Sequence, residues 1–232
     1  MRVQVAYVEE PPFYWTEGGA ATGSDIELAE AVLRSIGADR IEFVPTTFDE
    51  LLPGVRTGRW EMNVPIFITP AREREVAFSR PVWTLVDGLI VRHGNPLHLS
   101  AYADVAATDA RLGVIPGQVQ TTAASSAGVG RGQLVEFADQ GSAITALLAE
   151  EIDAFAATAV GNRAAVRQHP DLDQVALVPA DGEALTGGFS FAPDSPLLSV
   201  VNAELARYLG SRQHRDTVGR FGITAAEIDP VI

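Results

Sequence analysis

Residues able to hold an anion stand together in one short stretch, Phe67-Ile68-Thr69-Pro70-Ala71-Arg72-Glu73, directly after the apolar run Met62–Ile66. Thr69 has the chemistry of a helix N-cap, and Pro70 suits the first helical position. A helix is therefore expected to begin here, with Arg72 in its first turn. Backbone N–H groups, the positive end of a helix dipole and a forked guanidinium would then meet where a strand ends. Together they favour an anion, and a carboxylate fits well. The plainer alternative is an ordinary helix start with an arginine facing solvent.

A second group supplies the complementary chemistry. Glu9-Glu10-Pro11-Pro12-Phe13-Tyr14-Trp15 carries two acids and three aromatic rings in a loop whose backbone proline holds. Three adjacent rings cannot all face one core, so at least one is expected to line a cleft. Phe48 stands at a strand-to-helix turn, where open α/β sheets place their ligand crevices. One acid, one arginine and the rings of Phe13, Phe48 and Phe67 suit a small zwitterion with a flat or soft cation. Farther along, Gln118 and Gln120 follow the turn at Gly117 and are the candidates from a second lobe.

Other chemistries find little support. There is no Gly-x-Gly-x-x-Gly after a strand, no phosphate-binding loop and no Gly-x-Ser-x-Gly. His93, His98, His169 and His214 are scattered without ligand spacing and read as surface residues. Acidic pairs such as Glu150-Glu151 read as solvated. No metal or cofactor is expected, and no nucleophile–base constellation is visible.

Composition narrows the partners. The chain has 232 residues, is 47% hydrophobic and 20% charged, and carries a formal charge of −13. That is enough chain for one large or two small globular domains. All 17 basic residues are arginine. Such an acidic chain is a poor partner for nucleic acid or an anionic membrane surface. Cysteine is absent, so neither disulfides nor thiolate metal sites arise. No apolar run approaches the roughly 20 residues that span a bilayer. Met1-Arg2-Val3 opens directly on a strand, which fits a cytosolic chain or one whose leader has been removed.

The elements that position these residues follow a βαβ rhythm, which predicts an α/β fold. Strands are expected at Val3–Val8, Ile41–Pro45, Met62–Ile66 and Leu85–Arg92. Ser24-Asp25-Ile26-Glu27 and Thr47-Phe48-Asp49-Glu50 have the spacing of capping boxes. The first starts a helix ending at Gly37, the second one ending near Gly58. His93-Gly94-Asn95-Pro96 breaks the pattern and reads as a crossing into a second lobe. There strands are expected at Leu112–Ile115, Leu134–Phe137, Ile152–Ala156 and Val175–Val178, with a helix capped by Ser142. The stretch from Pro179 to Gly188 reads as the return crossing. Phe189–Phe191 and a long helix from Ser195-Pro196 then rejoin the first lobe, so the expected division is 1–92, 93–186 and 187–232.

With these residues in view, the chain resembles the solute-binding proteins of bacterial polar amino-acid importers, family 3. The resemblance runs over nearly the whole length. It rests on Gly58-Arg59-Trp60-Glu61-Met62, Ile68-Thr69-Pro70-Ala71-Arg72, Ala77-Phe78-Ser79-Arg80-Pro81, Leu112-Gly113-Val114 before Gly117, and Glu151-Ile152-Asp153-Ala154. It implies the two-lobe type II periplasmic-binding-protein fold, each lobe a mainly parallel sheet flanked by helices, joined by a two-strand hinge. It also implies that Arg72 holds a ligand carboxylate. Within the family the chain is similar to the ectoine and hydroxyectoine receptors. Glu10-Pro11-Pro12-Phe13 resembles their acid and first aromatic, and Phe48 and Phe67 fall at their second and third; Gly94-Asn95-Pro96-Leu97 is also similar. The chain departs from the family at two places. Gln118-Val119 stands where a threonine is usual, and Thr158 replaces the acid that binds an α-ammonium group in ordinary members.

The resemblance implies an extracytoplasmic receptor, periplasmic or anchored at the cell surface. It would be a monomer that captures a small zwitterion in an interlobe cleft and delivers it to an ABC import permease. Two other readings share the fold. One is a cyclohexadienyl dehydratase-like enzyme with Glu10 as its acid and Arg72 orienting a substrate carboxylate. The other is a ligand-sensing domain of a signalling protein.

Overall fold

The structure, a computed structural model, describes residues 1–177 and 185–232. The chain forms two compact units, Met1–Leu85 with Leu185–Ile232, and Val86–Ala184. Val178, the last residue of one expected strand, and the 179–184 part of the expected return crossing lie outside the described residues.

Unit 1 begins with β1 (Arg2–Tyr7), the hairpin of β2 (Trp15–Glu17) and β3 (Ala20–Thr22), α1 (Ser24–Ser35), β4 (Arg40–Pro45) and α2 (Phe48–Arg56). It continues through β5 (Met62–Phe67), the single turn α3 (Pro70–Glu73), β6 (Ala77–Phe78) and β7 (Trp83–Leu85). Unit 2 holds β8 (Asp87–Arg92), α4 (Tyr102–Ala106), β9 (Leu112–Val114), α5 (Val119–Ser126), β10 (Leu134–Glu136), α6 (Gln140–Leu148), β11 (Ala154–Thr158), α7 (Ala159–Val166) and β12 (Leu172–Ala176). The chain returns to unit 1 with β13 (Leu185–Phe191), α8 (Leu197–Tyr208), α9 (Arg212–Arg220) and α10 (Ala225–Ile228).

The expected strand over 85–92 divides at Val86 into β7 and β8. β8 belongs to the sheet of unit 2, where it runs antiparallel to both β11 and β12. The order of that sheet is β10-β9-β11-β8-β12. In unit 1 the order is β4-β1-β5-β13-β6, with β7 also paired to β13. The βαβ segments give the parallel pairs β1–β4, β1–β5, β9–β10 and β9–β11. The antiparallel β13 and β8 make both sheets mixed.

β5 is buried at every residue, which explains its almost continuous apolar sequence. Its two irregular residues are accommodated locally. The amide of Asn63 donates to the Leu51 carbonyl at 2.9 Å and to Ser190 Oγ at 2.8 Å. Pro65 has no N–H to give the ladder, and the register with β13 shifts there, so that two β5 residues oppose one on β13. Of the apolar faces that helical spacing predicts, Leu28 and Val32 are buried and Ile36, the C-cap of α1, is half-buried, while Leu197, Val201, Leu205 and Leu209 are all buried, and α1 packs on α8 and α9.

Neither expected capping box forms. The N-cap of α1 is Gly23, with Ser24 and Asp25 already inside the helix, and Thr47 caps α2 without a side-chain bond. The N-cap of α6 is Asp139, which accepts the N–H of Ser142, rather than Ser142 itself.

Candidate functional site

In unit 1, β5 ends at Phe67, and the chain turns through Thr69 into α3. Thr69 is the N-cap; its Oγ1 accepts the Arg72 N–H at 3.3 Å, and Pro70 takes the first helical position. This matches the local chemistry of the sequence. The helix is one turn long, however, so its dipole adds little. The anion-holding capacity rests on the guanidinium. Arg72 is 8% exposed. Its Nη1 donates to the Phe67 carbonyl at 2.7 Å, and its guanidinium carbon lies 5.2 Å from the Phe48 ring centroid. Burial lowers its pKa, while Tyr14 and Glu10 act in the opposite direction. Arginine's ordinary pKa is high enough that it keeps its charge.

The loop bearing Glu10 is tied by its own backbone. Glu10 N donates to the Tyr14 carbonyl at 2.8 Å, and the N–H groups of Phe13 and Tyr14 both donate to the Glu10 carbonyl. Glu10 is buried, and the Tyr14 hydroxyl lies 3.5 Å from its Oε2. Desolvation, with the charges of Glu10 and Asp25 behind it, pushes the Tyr14 phenol well above its ordinary range, so it stays a neutral donor. Of the three rings in this loop, Phe13 and Tyr14 are buried. Trp15 is half-buried and meets Phe221 edge-on at 6.1 Å. Phe67 is buried and Phe48 half-buried.

Two residues that sequence reasoning did not single out complete this cluster. Trp83 on β7 lies edge-on to Phe67, with centroids 5.2 Å apart, and tilted against Phe13 at 6.0 Å. Its Nε1 donates to Asp25 Oδ2 at 3.1 Å. Asp25 is buried at the start of α1, and desolvation pushes its carboxyl up to about 7 against the lowering bonds from Trp83 and Ser24. The Ser-x-x-Glu spacing predicts a cap that does not form, and the residue inside it, Asp25, instead accepts the Trp83 indole N–H. An aromatic in a strand reads as core, so Trp83 had no separate signal.

Unit 2 has its own polar centre. Gln118 is the N-cap of α5 by backbone conformation, after Gly117 at φ 82°. Gln120, in the first turn, donates from Nε2 to Asp87 Oδ1 at 2.8 Å. The Tyr102 hydroxyl donates to Asp87 Oδ2 at 3.2 Å. Burial raises the Asp87 pKa, and these two bonds oppose the shift. Thr158 is the cross-strand partner of Asp87, and its Oγ1 caps α7 by accepting the Gly161 N–H at 3.1 Å. Asp87, like Trp83, carried no sequence signal, because its setting comes from strand pairing.

Within unit 1 the structure thus brings together Glu10, Phe13, Phe48, Phe67 and Arg72. Within unit 2 it places Gln120 and Thr158 about Asp87 and Gln118 at the start of the same helix as Gln120. Among the described residues, no group of three or more His, Cys, Asp or Glu could hold a metal ion. No described helix is long and apolar enough to cross a membrane. One surface assignment is corrected: His214 is buried, its Nδ1 accepts the Gly210 N–H at 3.1 Å, and desolvation lowers its pKa to about 4.

The model of the bacterial extracellular solute-binding proteins, family 3, matches residues 3–217. The chain belongs to this family. Its fold is the family's two-lobe α/β periplasmic-binding-protein fold. The crystal structure of EhuB in complex with hydroxyectoine matches with a TM-score of 0.87 at 24% identity, covering 96% of this chain and 89% of that one. The arginine-, lysine-, histidine-binding protein ArtJ from Geobacillus stearothermophilus matches equally well, with a TM-score of 0.87 at 22% identity, covering 97% and 96%. A family relative, a probable amino-acid ABC transporter periplasmic-binding protein of Sinorhizobium fredii, is 30% identical over 161 residues, 68% of this chain. The match spans 53% of that relative's own length.

Proposed function

We propose that the chain is an extracytoplasmic receptor that captures a small zwitterion and delivers it to an ABC import permease. The ligand would be an ectoine-like compatible solute or an amino-acid derivative. The observation that carries this reading is the setting of Arg72. A buried guanidinium, oriented by the Phe67 carbonyl and stacked near Phe48, shares its surroundings with the buried acid Glu10. A ligand carboxylate would pair with the Arg72 guanidinium. Its cation would take Glu10 and the faces of the rings, each face worth about 0.5–2 kcal/mol. A primary ammonium brings three donors that each need an acceptor, and one left buried and unpaired costs about 1–3 kcal/mol. A delocalised or alkylated cation escapes most of that cost, which supports ectoine or a betaine over common α-amino acids.

The test is direct calorimetry of the purified protein with ectoine, glycine betaine, proline, glutamine and arginine. Micromolar binding of ectoine or betaine is expected. Binding of glutamine or arginine, with no heat from ectoine or betaine, would refute the aromatic-box reading.

A further inference from the structure

Three strands of unit 1 carry one row of residues. Gly187 on β13 is the register partner of Phe67 on β5 and of Trp83 on β7. A methyl group at Gly187 would lie 2.0 Å from the Trp83 ring. The indole therefore lies over the glycine, and this is how it reaches the edge of Phe67, two strands away. From there it also touches Phe13. The far end of the indole is not left to packing alone, because Asp25 accepts its N–H. Asp25 holds the Phe13 segment as well, through its own N–H to the Phe13 carbonyl at 3.0 Å. Two separate rings, Phe13 from a loop and Phe67 from a strand end, thus share one backing.

We propose that Trp83, held by Asp25 and seated over Gly187, is the positioning residue that sets the rings of Phe13 and Phe67 relative to each other. The inference rests on the reading above of those rings as walls for a solute. Trp83 need not touch the solute. It acts through the two phenylalanines, in the way that supporting hydrogen bonds and packing hold a binding group in its productive geometry.

The charge on Asp25 gives the pair a signature that simple packing lacks. The groups acting on Asp25 are Trp83 and Ser24, which donate to it, and Glu10, whose negative charge opposes its ionisation. Tyr14, a neutral phenol, feels the Asp25 charge in return. From the helices packed on α1, Glu204 meets Ser35, and Arg220 meets Glu27. With its carboxyl pushed up to about 7, Asp25 changes charge near neutral pH, and the bond to the indole changes with it.

The experiment uses the full chain without ligand, followed by titration with ectoine as the probe. The Trp83 indole N–H resonance, assigned with Trp83→Phe, is followed from pH 5.5 to 8.5. It should titrate near pH 7 in the wild type and lose that step in Asp25→Asn, which keeps an acceptor oxygen but cannot ionise. In Asp25→Ala the ring resonances of Phe13 and Phe67 should shift. Ectoine affinity should fall about tenfold in Asp25→Ala and Trp83→Phe, and stay within about threefold of wild type in Asp25→Asn. Unmoved Phe13 and Phe67 rings in Asp25→Ala would overturn the proposal whatever ectoine does. Should Asp25→Ala not fold, an indole step that persists in Asp25→Asn would overturn it, and its loss there would support it. If the rings move as expected while wild-type protein ignores every solute tested, the solute reading fails and the positioning role stands.

Discussion

Replacing Arg72 by lysine conserves charge and removes geometry. The contacts of the guanidinium inside unit 1 include the 2.7 Å bond from Nη1 to the Phe67 carbonyl and the approach to the Phe48 ring at 5.2 Å. An ammonium group can satisfy the carbonyl or reach toward a ligand carboxylate, but it cannot do both with parallel N–H donors. The fork to the carboxylate is a charge-assisted interaction of about 1.5–3 kcal/mol, so Arg72→Lys should weaken ectoine binding by roughly 10- to 150-fold. Calorimetry gives that number, and chemical denaturation of the unliganded variant gives the separate cost to the fold. Lysine can still donate to the Phe67 carbonyl, so the loss of stability should stay below the roughly 1–3 kcal/mol of a buried acceptor left without a partner. Equal ectoine affinities in a variant of normal stability would place Arg72 outside the site and refute the argument.

Stability should also respond to pH through Asp25. Its carboxyl is raised by burial to about 7, so the folded chain holds this proton more tightly than the unfolded chain does. This contribution should fall as pH rises from about 4 to about 7, by a few kcal/mol at most, and level off above; denaturation midpoints should show a flatter profile over that range in Asp25→Asn. Gly187→Ala forces a methyl group against the pinned Trp83 ring and should destabilise by about 1–3 kcal/mol, read from urea unfolding. Thr69→Ala removes the cap on the Arg72 N–H and should cost about 0.5–2 kcal/mol by the same measurement.

What could be read from the sequence is the chemistry that works over a few residues. Thr69, Pro70 and Arg72 act on one another within one turn, so their roles were visible in their spacing. The apolar run of β5 and the helical spacing of Leu197, Val201 and Leu205 were visible for the same reason. Asp25 has no signal of its own in the sequence, because its partner Trp83 lies 58 positions away. The division at Val86 has no signal in the sequence because β7 and β8 are separated by a single residue, and only pairing assigns them to different sheets. Asp87 stayed hidden because Gln120 and Tyr102 reach it from two separate helices. The mixed character of both sheets had the same origin: no spacing along the chain announces that β13 will run antiparallel beside β5.

That placement of β13 has a consequence for how the molecule is made. β13 fills the middle of the unit 1 sheet, between β5 on one side and β6 and β7 on the other, yet it is synthesised after all of unit 2. The described strands of unit 2 come from one continuous stretch, Asp87 to Ala176, and can pair as soon as that stretch is available. Unit 1 must wait with the ladder edge of β5 open and with α1 lacking its packing against α8 and α9. An open, apolar strand edge is a template for pairing with other chains, and contacts between residues so far apart in sequence form slowly. Unit 1 thus starts before unit 2 along the chain and is completed only after it, when the stretch from Leu185 on supplies β13 and the helices that cover α1.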